Sequence, residues 1–416
     1  MPQFRLSHLA LVAALLGLNI APVFVEGVST AYAADSVSPA ISKILTAATD
    51  DIKKGKYKEA LAKVHEADGI GSKTSFENYM VDFMRASAAQ GAGDYATAAK
   101  SYEAVLNSGH VTGASQAKIV QALGEMYFRE KEYPKAILWL SKYQSESGDS
   151  SLRPYLLQAY YFSNDFAHAY REVLADVQAE EKAGRTPSED QLNMLSNCAL
   201  KLNDKAGYAA AVEKMVAYHP RKELWSDLLT RLESKPGFNS GRLDLDVLRL
   251  RAHIGVLTST ADYMNYIELA LNSGYPLEAK KATEAAYKSG AFGTGAEASR
   301  QKRLQDLVTK QVNDDPKSIA QAEAELAKSK DSNAMVNLGY HYVTTGQFDK
   351  GIPLIEQGIQ KGDLKRPDEA KLHLGLAYLQ ADKKSKAVQT FKSVQGTDGT
   401  AELGHLWSIA ATHPLN

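Results

Sequence analysis

The stretch QALGEMYFREKEYPKAILWL, residues 121–140, decides the fold. Leu123-Gly124 is followed at three residues by Tyr127, then by Tyr133, Ala136 and Leu140. Two further stretches keep that register. In VNLGYHYVTTGQFDKGIPLI, residues 336–355, Leu338-Gly339 precede Tyr342, Phe348, Gly351 and Ile355. In LHLGLAYLQADKKSKAVQTF, residues 372–391, Leu374-Gly375 precede Tyr378, Ala387 and Phe391. In all three the glycine leads the later small residue by the same distance (124 to 136, 339 to 351, 375 to 387). Apolar residues at three- and four-residue steps mark amphipathic helices, and the fixed spacing marks a repeat of helix pairs.

Weaker copies fill the intervals. GKYKEALAKVHEA starts at Gly55 and GDYATAAKSYEAV at Gly93, and Lys131 is the matching turn residue of the next copy. Further copies run over residues 155–173, 193–215 and 265–286, which makes about eight units. The pattern predicts two antiparallel helices per unit joined by a short turn. Gly124 and Gly339 sit where the helices cross, because a larger side chain would push them apart. Gly55, Gly93 and Gly346 suit a helix end, where a positive φ is cheap only for glycine. One pair cannot bury its own apolar face, so neighbours must stack. The 21 tyrosines then serve chiefly as core and groove lining.

Composition agrees with a folded soluble chain. Of 416 residues, 44% are hydrophobic and 23% charged, and 48 Lys+Arg balance 49 Asp+Glu. That balance argues against a nucleic-acid binder. Arg5 and His8, an apolar run over residues 9–25, and Ala31-Tyr32-Ala33 read together as a cleavable signal peptide over residues 1–33. No later segment is apolar enough to span a membrane, so a protein exported to the periplasm is expected, not an integral membrane protein. The single cysteine, Cys198, allows no intramolecular disulfide and reads as a buried, inert thiol.

Residues 34–235 are read as an amino-terminal array, 236–315 as a middle helical segment with one degenerate repeat, and 316–416 as a carboxy-terminal pair of repeats. The stretch around Pro236 to Gly241 reads as a loop, and Gly290 to Gly295 opens a charged helix that Asp314-Asp315-Pro316 should end. The closing AELGHLWSIAATHP reads as a capping helix.

The L-G-x2-Y and A-x3-F positions resemble the tetratricopeptide repeat (TPR). That resemblance implies an all-α, right-handed superhelical solenoid of stacked antiparallel helix pairs with a long concave surface. Residues of the first helices, between the core positions, would line the groove: Lys118, Gln121, Glu125 and Arg129, then Gln158, Tyr161 and Phe162, then Asn333, Asn337 and Tyr340. Polar, amide and aromatic groups of this kind suit an extended peptide or a partner helix. Residues 243–303 with residues 337–359 also resemble a family of exported proteobacterial repeat proteins, some described as associated with TonB energy-transduction systems. This resemblance implies a non-catalytic adaptor or scaffold with a protein partner in the cell envelope.

No catalytic or metal constellation is expected. There is no H-E-x-x-H, no G-x-S-x-G and no zinc-ligand spacing among the ten histidines. His341 and His373 read as structural. Gly71-Ser72-Lys73-Thr74 lacks the order of a phosphate loop, and no strand precedes Gly293-Thr294-Gly295, so no cofactor is expected. Two alternatives stay open. One is a structural or assembly component of secretion or polysaccharide export. The other is a polysaccharide-acting enzyme, which needs two carboxylates ~5–10 Å apart in one cleft.

Overall fold

The computed structural model describes residues 37–415, so the signal-peptide segment lies outside the described residues. Among the described residues there are twenty α-helices and no strand. They form two compact units, one reaching to Asp176 and the other starting at Val177. The fold is all-helical, as the repeat spacing predicts.

The first unit contains α1 (Pro39–Lys53), α2 (Tyr57–Glu66), α3 (Ser75–Ala92), α4 (Tyr95–Asn107), α5 (Gly113–Arg129), α6 (Tyr133–Ser147) and α7 (Arg153–Phe162). The boundary falls within α8 (Phe166–Lys182). Consecutive helices pair, α1 with α2, α3 with α4 and α5 with α6. Each pair is joined by the same turn. In the α5–α6 turn the N–H of Lys131 donates to the carbonyl of Phe128 (3.1 Å) and that of Glu132 to the carbonyl of Tyr127 (2.9 Å). These two bonds satisfy carbonyls left over at the helix end and require a left-handed residue between them. Gly55, Gly93, Lys131 and Asn164 hold that position with φ of 71°, 79°, 60° and 65°.

The close approach inside each pair is equally concrete. A Cβ on Gly124 would stand 2.7 Å from Leu140 Cδ2, too close for any real contact. Leu123, Met126 and Leu140 are buried around that crossing. Each such side chain contributes about 1.5–3 kcal/mol by leaving water.

The second unit contains α9 (Glu189–Lys201), α10 (Lys205–Tyr218), α11 (Lys222–Glu233), α12 (Ser240–His253), α13 (Thr260–Asn272) and α14 (Pro276–Lys288). It continues with α15 (Ala298–Ser329), α16 (Ser332–Thr344), α17 (Phe348–Lys361), α18 (Pro367–Gln380), α19 (Lys384–Lys392) and α20 (Thr400–Thr412). The repeated turn recurs here at Asn203, Gly274, Gly346 and Asp382, again with positive φ. A Cβ on Gly339 would meet Ile355 Cγ1 at 2.7 Å, and one on Gly375 would meet Phe391 at 2.4 Å. Cys198 is fully buried, and burial pushes its thiol up to about 12.

Two sequence expectations need correction. The turn-rich stretch around Pro236 stops at Asn239, and Gly241 already lies inside α12. More substantially, Pro316 does not end a helix: α15 runs through it for 32 residues, about 48 Å at 1.5 Å per residue. Proline removes one backbone hydrogen bond, but packing on both sides of it outweighs that loss. Leu304 and Val308 are buried before it, and Ile319, Ala322 and Leu326 are half-buried after it. Asp315 is held by His341, Oδ1 to Nε2 at 2.8 Å.

The closing helix packs back against α12. In α20, Leu403, Leu406 and Trp407 are buried, and Trp407 stacks on Phe391 (5.9 Å) and lies 5.1 Å from His253 of α12. The N–H of Asn239 donates to the carbonyl of Asp398 (2.9 Å), and Arg242 pairs with both Asp398 and Glu369. The second unit is thus tied shut between helices more than 150 residues apart in sequence.

Candidate functional site

In the first unit, α5 and α7 lie side by side through aromatic contacts: Phe128 meets Tyr155 at 5.3 Å and Phe162 at 6.5 Å. The predicted groove residues of α5 fall into three classes. Lys118 is exposed and Gln121 and Arg129 are half-buried. Glu125 is only 8% exposed and accepts a hydrogen bond from Gln121 Nε2 at 3.0 Å. Burial raises its pKa, and the bond from Gln121 and the charge of Arg129 only partly oppose that. Glu125 is therefore a correction: it is an internal carboxylate, not a free charge offered to a partner. The Arg129 guanidinium lies 5.3 Å from the centre of the Tyr95 ring.

On α7, Gln158 and Tyr161 are half-buried. Tyr161 stands edge-on to Phe162 (5.9 Å) and Phe166 (5.3 Å). Phe162 is 37% exposed and packs on Tyr133 at 5.2 Å. The face thus carries Tyr133, Tyr155 and Phe162, packed over the buried Phe128, with Gln158 on the same helix as Tyr155 and Phe162. Tyr155 was missed as a face residue. Aromatic residues near the ends of consecutive first helices were the available signal.

In the second unit the three predicted residues part company. Asn333 accepts a hydrogen bond from the backbone N–H of Lys365 (3.0 Å), so its amide pins a loop. Tyr340 is 1% exposed and is a second correction. Its ring stacks on His373 (4.6 Å) and lies under the Arg249 guanidinium (4.9 Å). Arg249, from the enclosed helix α12, grips Glu278 with two bonds (2.7 and 2.8 Å) and Asp246 with one (2.7 Å). Tyr266 donates to Glu278 (2.9 Å), and His373 pairs with Asp246 (3.1 Å). Burial alone would lower the Arg249 pKa, but Glu278, Tyr340 and Asp246 outweigh it and hold it well above its ordinary value. This network joins five helices, and it covers the face that the spacing assigned to a ligand.

Asn337 is exposed and lines a cleft of 530 Å³ between α15 and α16, closed at one end by the α13–α14 turn. Asp314, Ser318 and Glu325 stand on its α15 wall, with His341 and Asn337 on the α16 wall. The two motifs set aside on sequence have structural roles. Lys73 donates to the carbonyls of Ala67 (2.9 Å) and Ile70 (2.7 Å), and Thr74 caps α3. Gly293 N–H donates to Gln301 Oε1 (2.8 Å). Among the described residues, no group of three or more His, Cys, Asp or Glu side chains is placed to hold a metal ion.

No curated protein matches the sequence. Among solved structures, the TPR2AB-domain:pHSP90-complex of yeast Sti1 is 13% identical, covering 72% of this chain and 98% of that one, with a TM-score of 0.24. Yeast Tom70 is 12% identical, covering 89% and 95%, with a TM-score of 0.23. Naa15/Naa10 bound to HypK-THB is 11% identical, covering 90% and 72%, with a TM-score of 0.27. With TM-scores this low, none of them fixes a shared arrangement of helices. The family profile of the tetratricopeptide repeat matches residues 83–151 and 336–402. Those two segments, one in each unit, carry tetratricopeptide repeats.

Proposed function

We propose that this chain is a non-catalytic protein-interaction scaffold of the periplasm, and that a protein partner docks on the α5–α7 face of the first unit. The observation that carries the reading is that Tyr133 and Tyr155, half-buried, and Phe162, exposed, lie together over the buried Phe128, with the half-buried Gln158 on the same helix as Tyr155 and Phe162. Aromatic side chains give large contact area at low entropy cost, and they dominate binding energy where a polar rim surrounds them. The charged start, apolar run and Ala31-Tyr32-Ala33 support export. The likeness to exported proteins associated with TonB systems makes that machinery the first partner class to test.

The test is crosslinking in cells, followed by capture of the full chain and identification of partners by mass spectrometry. Wild type is compared with a Gln158→Lys/Phe162→Ala variant whose helicity is checked. Energy-transducing inner-membrane proteins or their outer-membrane receptors are expected with wild type and strongly depleted with the variant. Equal recovery would overturn the assignment of the face. Recovery of self alone, or of polysaccharide-export machinery, would overturn the TonB assignment.

A further inference from the structure

The cleft between α15 and α16 differs in kind from the face of the first unit. Its α15 wall is a stripe at helical spacing, Gln311, Asp314, Ser318 and Glu325, and no Lys or Arg lines it. Asp314 is exposed and has no ion-pair partner among the described residues. Glu325 is exposed, and its one hydrogen bond comes from the neutral Gln321 (3.0 Å). Across the cleft, Asn337 is exposed with its amide uncommitted among the described residues. The deep end is walled by Tyr275 and the paired Asp315 and His341. Two exposed carboxylates, Asp314 and Glu325, thus face an open space without an ion-pair partner among the described residues.

We propose that this cleft is a second docking site, which takes an extended basic peptide segment of a protein partner. Asp314 and Glu325 lie eleven residues apart on one helix, which places them about 16 Å apart. An extended chain advances ~3.3 Å per residue, so two Lys or Arg side chains about five residues apart reach both carboxylates. Asn337, with Ser318 and Gln311, is placed to bond the backbone between them.

The probe is a fluorescent Gly/Ser peptide with two lysines five residues apart, titrated into the full chain and read by anisotropy. Two exposed ion pairs together are worth about tenfold in affinity, and they weaken with salt. Saturable binding is expected, weakened about tenfold by Asp314→Asn/Glu325→Gln and weakened also by Asn337→Lys, which puts a cation in the cleft. All three positions are exposed, so the variants keep the fold, and circular dichroism checks it. The same peptide with glutamates for lysines should not bind, and lysines two residues apart should bind less well. Equal affinity of wild type and variants, no preference for lysine over glutamate, or binding of spermidine without binding of the peptide would each overturn the proposal. The site shares no residue with the α5–α7 face, so either assignment can fail alone.

Discussion

At the scale of the residue, the decisive positions are the small ones. Gly124 has no room for a Cβ, with Leu140 Cδ2 at 2.7 Å from where it would stand. Gly124→Leu must force the α5–α6 pair apart or push Leu140 from its rotamer. Overpacking of this kind costs about 1–3 kcal/mol. A denaturant titration should therefore show the midpoint falling with the slope unchanged, and an unchanged midpoint would mean the helices do not cross there. The sequence made this residue legible because its spacing to Ala136 recurs in two other stretches. It could not make Tyr340 legible in the same way. Tyr340 sits one residue after its own crossing glycine, as Glu125 does after Gly124, yet one is sealed by Arg249 and the other by Gln121. Spacing tells which side of a helix a residue takes, and not what another side chain lays over that side.

At the scale of the element, helix ends were read well and helix length less well. The positive φ at Gly55, Gly93 and Gly346 followed from residue type, whereas Lys131, Asn164 and Asp382 take the same conformation because the turn imposes it. Pro316 was the misleading signal, since tertiary packing carries α15 across it. One cap does double duty and sets a pH response. Glu77 closes the capping box of α3 with Thr74, and its other oxygen accepts the backbone N–H of Ser38 at the start of α1 (2.8 Å). Hydrogen bonds from Ser38 and Thr74 pull its pKa from 4.5 down to about 2. A carboxylate depressed in the folded state stabilises in full above its unfolded value and ceases to do so as pH falls through the folded one. The contribution should thus be present above pH 4.5 and fade toward pH 2. Glu77→Gln should lower the melting temperature at neutral pH, and the gap to wild type should narrow on acidification. A gap that stays constant with pH would show that the charge plays no part in the cap.

At the scale of the whole molecule, the two units use the same helix pairs for different ends. The first leaves Tyr133 of α6 and Tyr155, Gln158 and Phe162 of α7 partly open to solvent. The second fills the corresponding positions with its own chain: α12 carries Asp246 and Arg249 into the space under Tyr340 and His373, and α20 ties back to α12. A buried network of this kind restricts the unit to one arrangement at some cost in desolvation. Nothing in the local pattern of residues 240–253 marks them as the occupant, because their partners lie on four other helices. The central claim, a scaffold that engages its partner through the first unit, is tested most directly by a photoreactive amino acid placed at single sites in cells. With the probe at Lys118 on α5, a discrete crosslinked partner is expected, and it should disappear when Phe162→Ala is added. With the probe at Leu138, exposed on α6, no such product should form. The same product from both sites, or none from Lys118, would contradict the account.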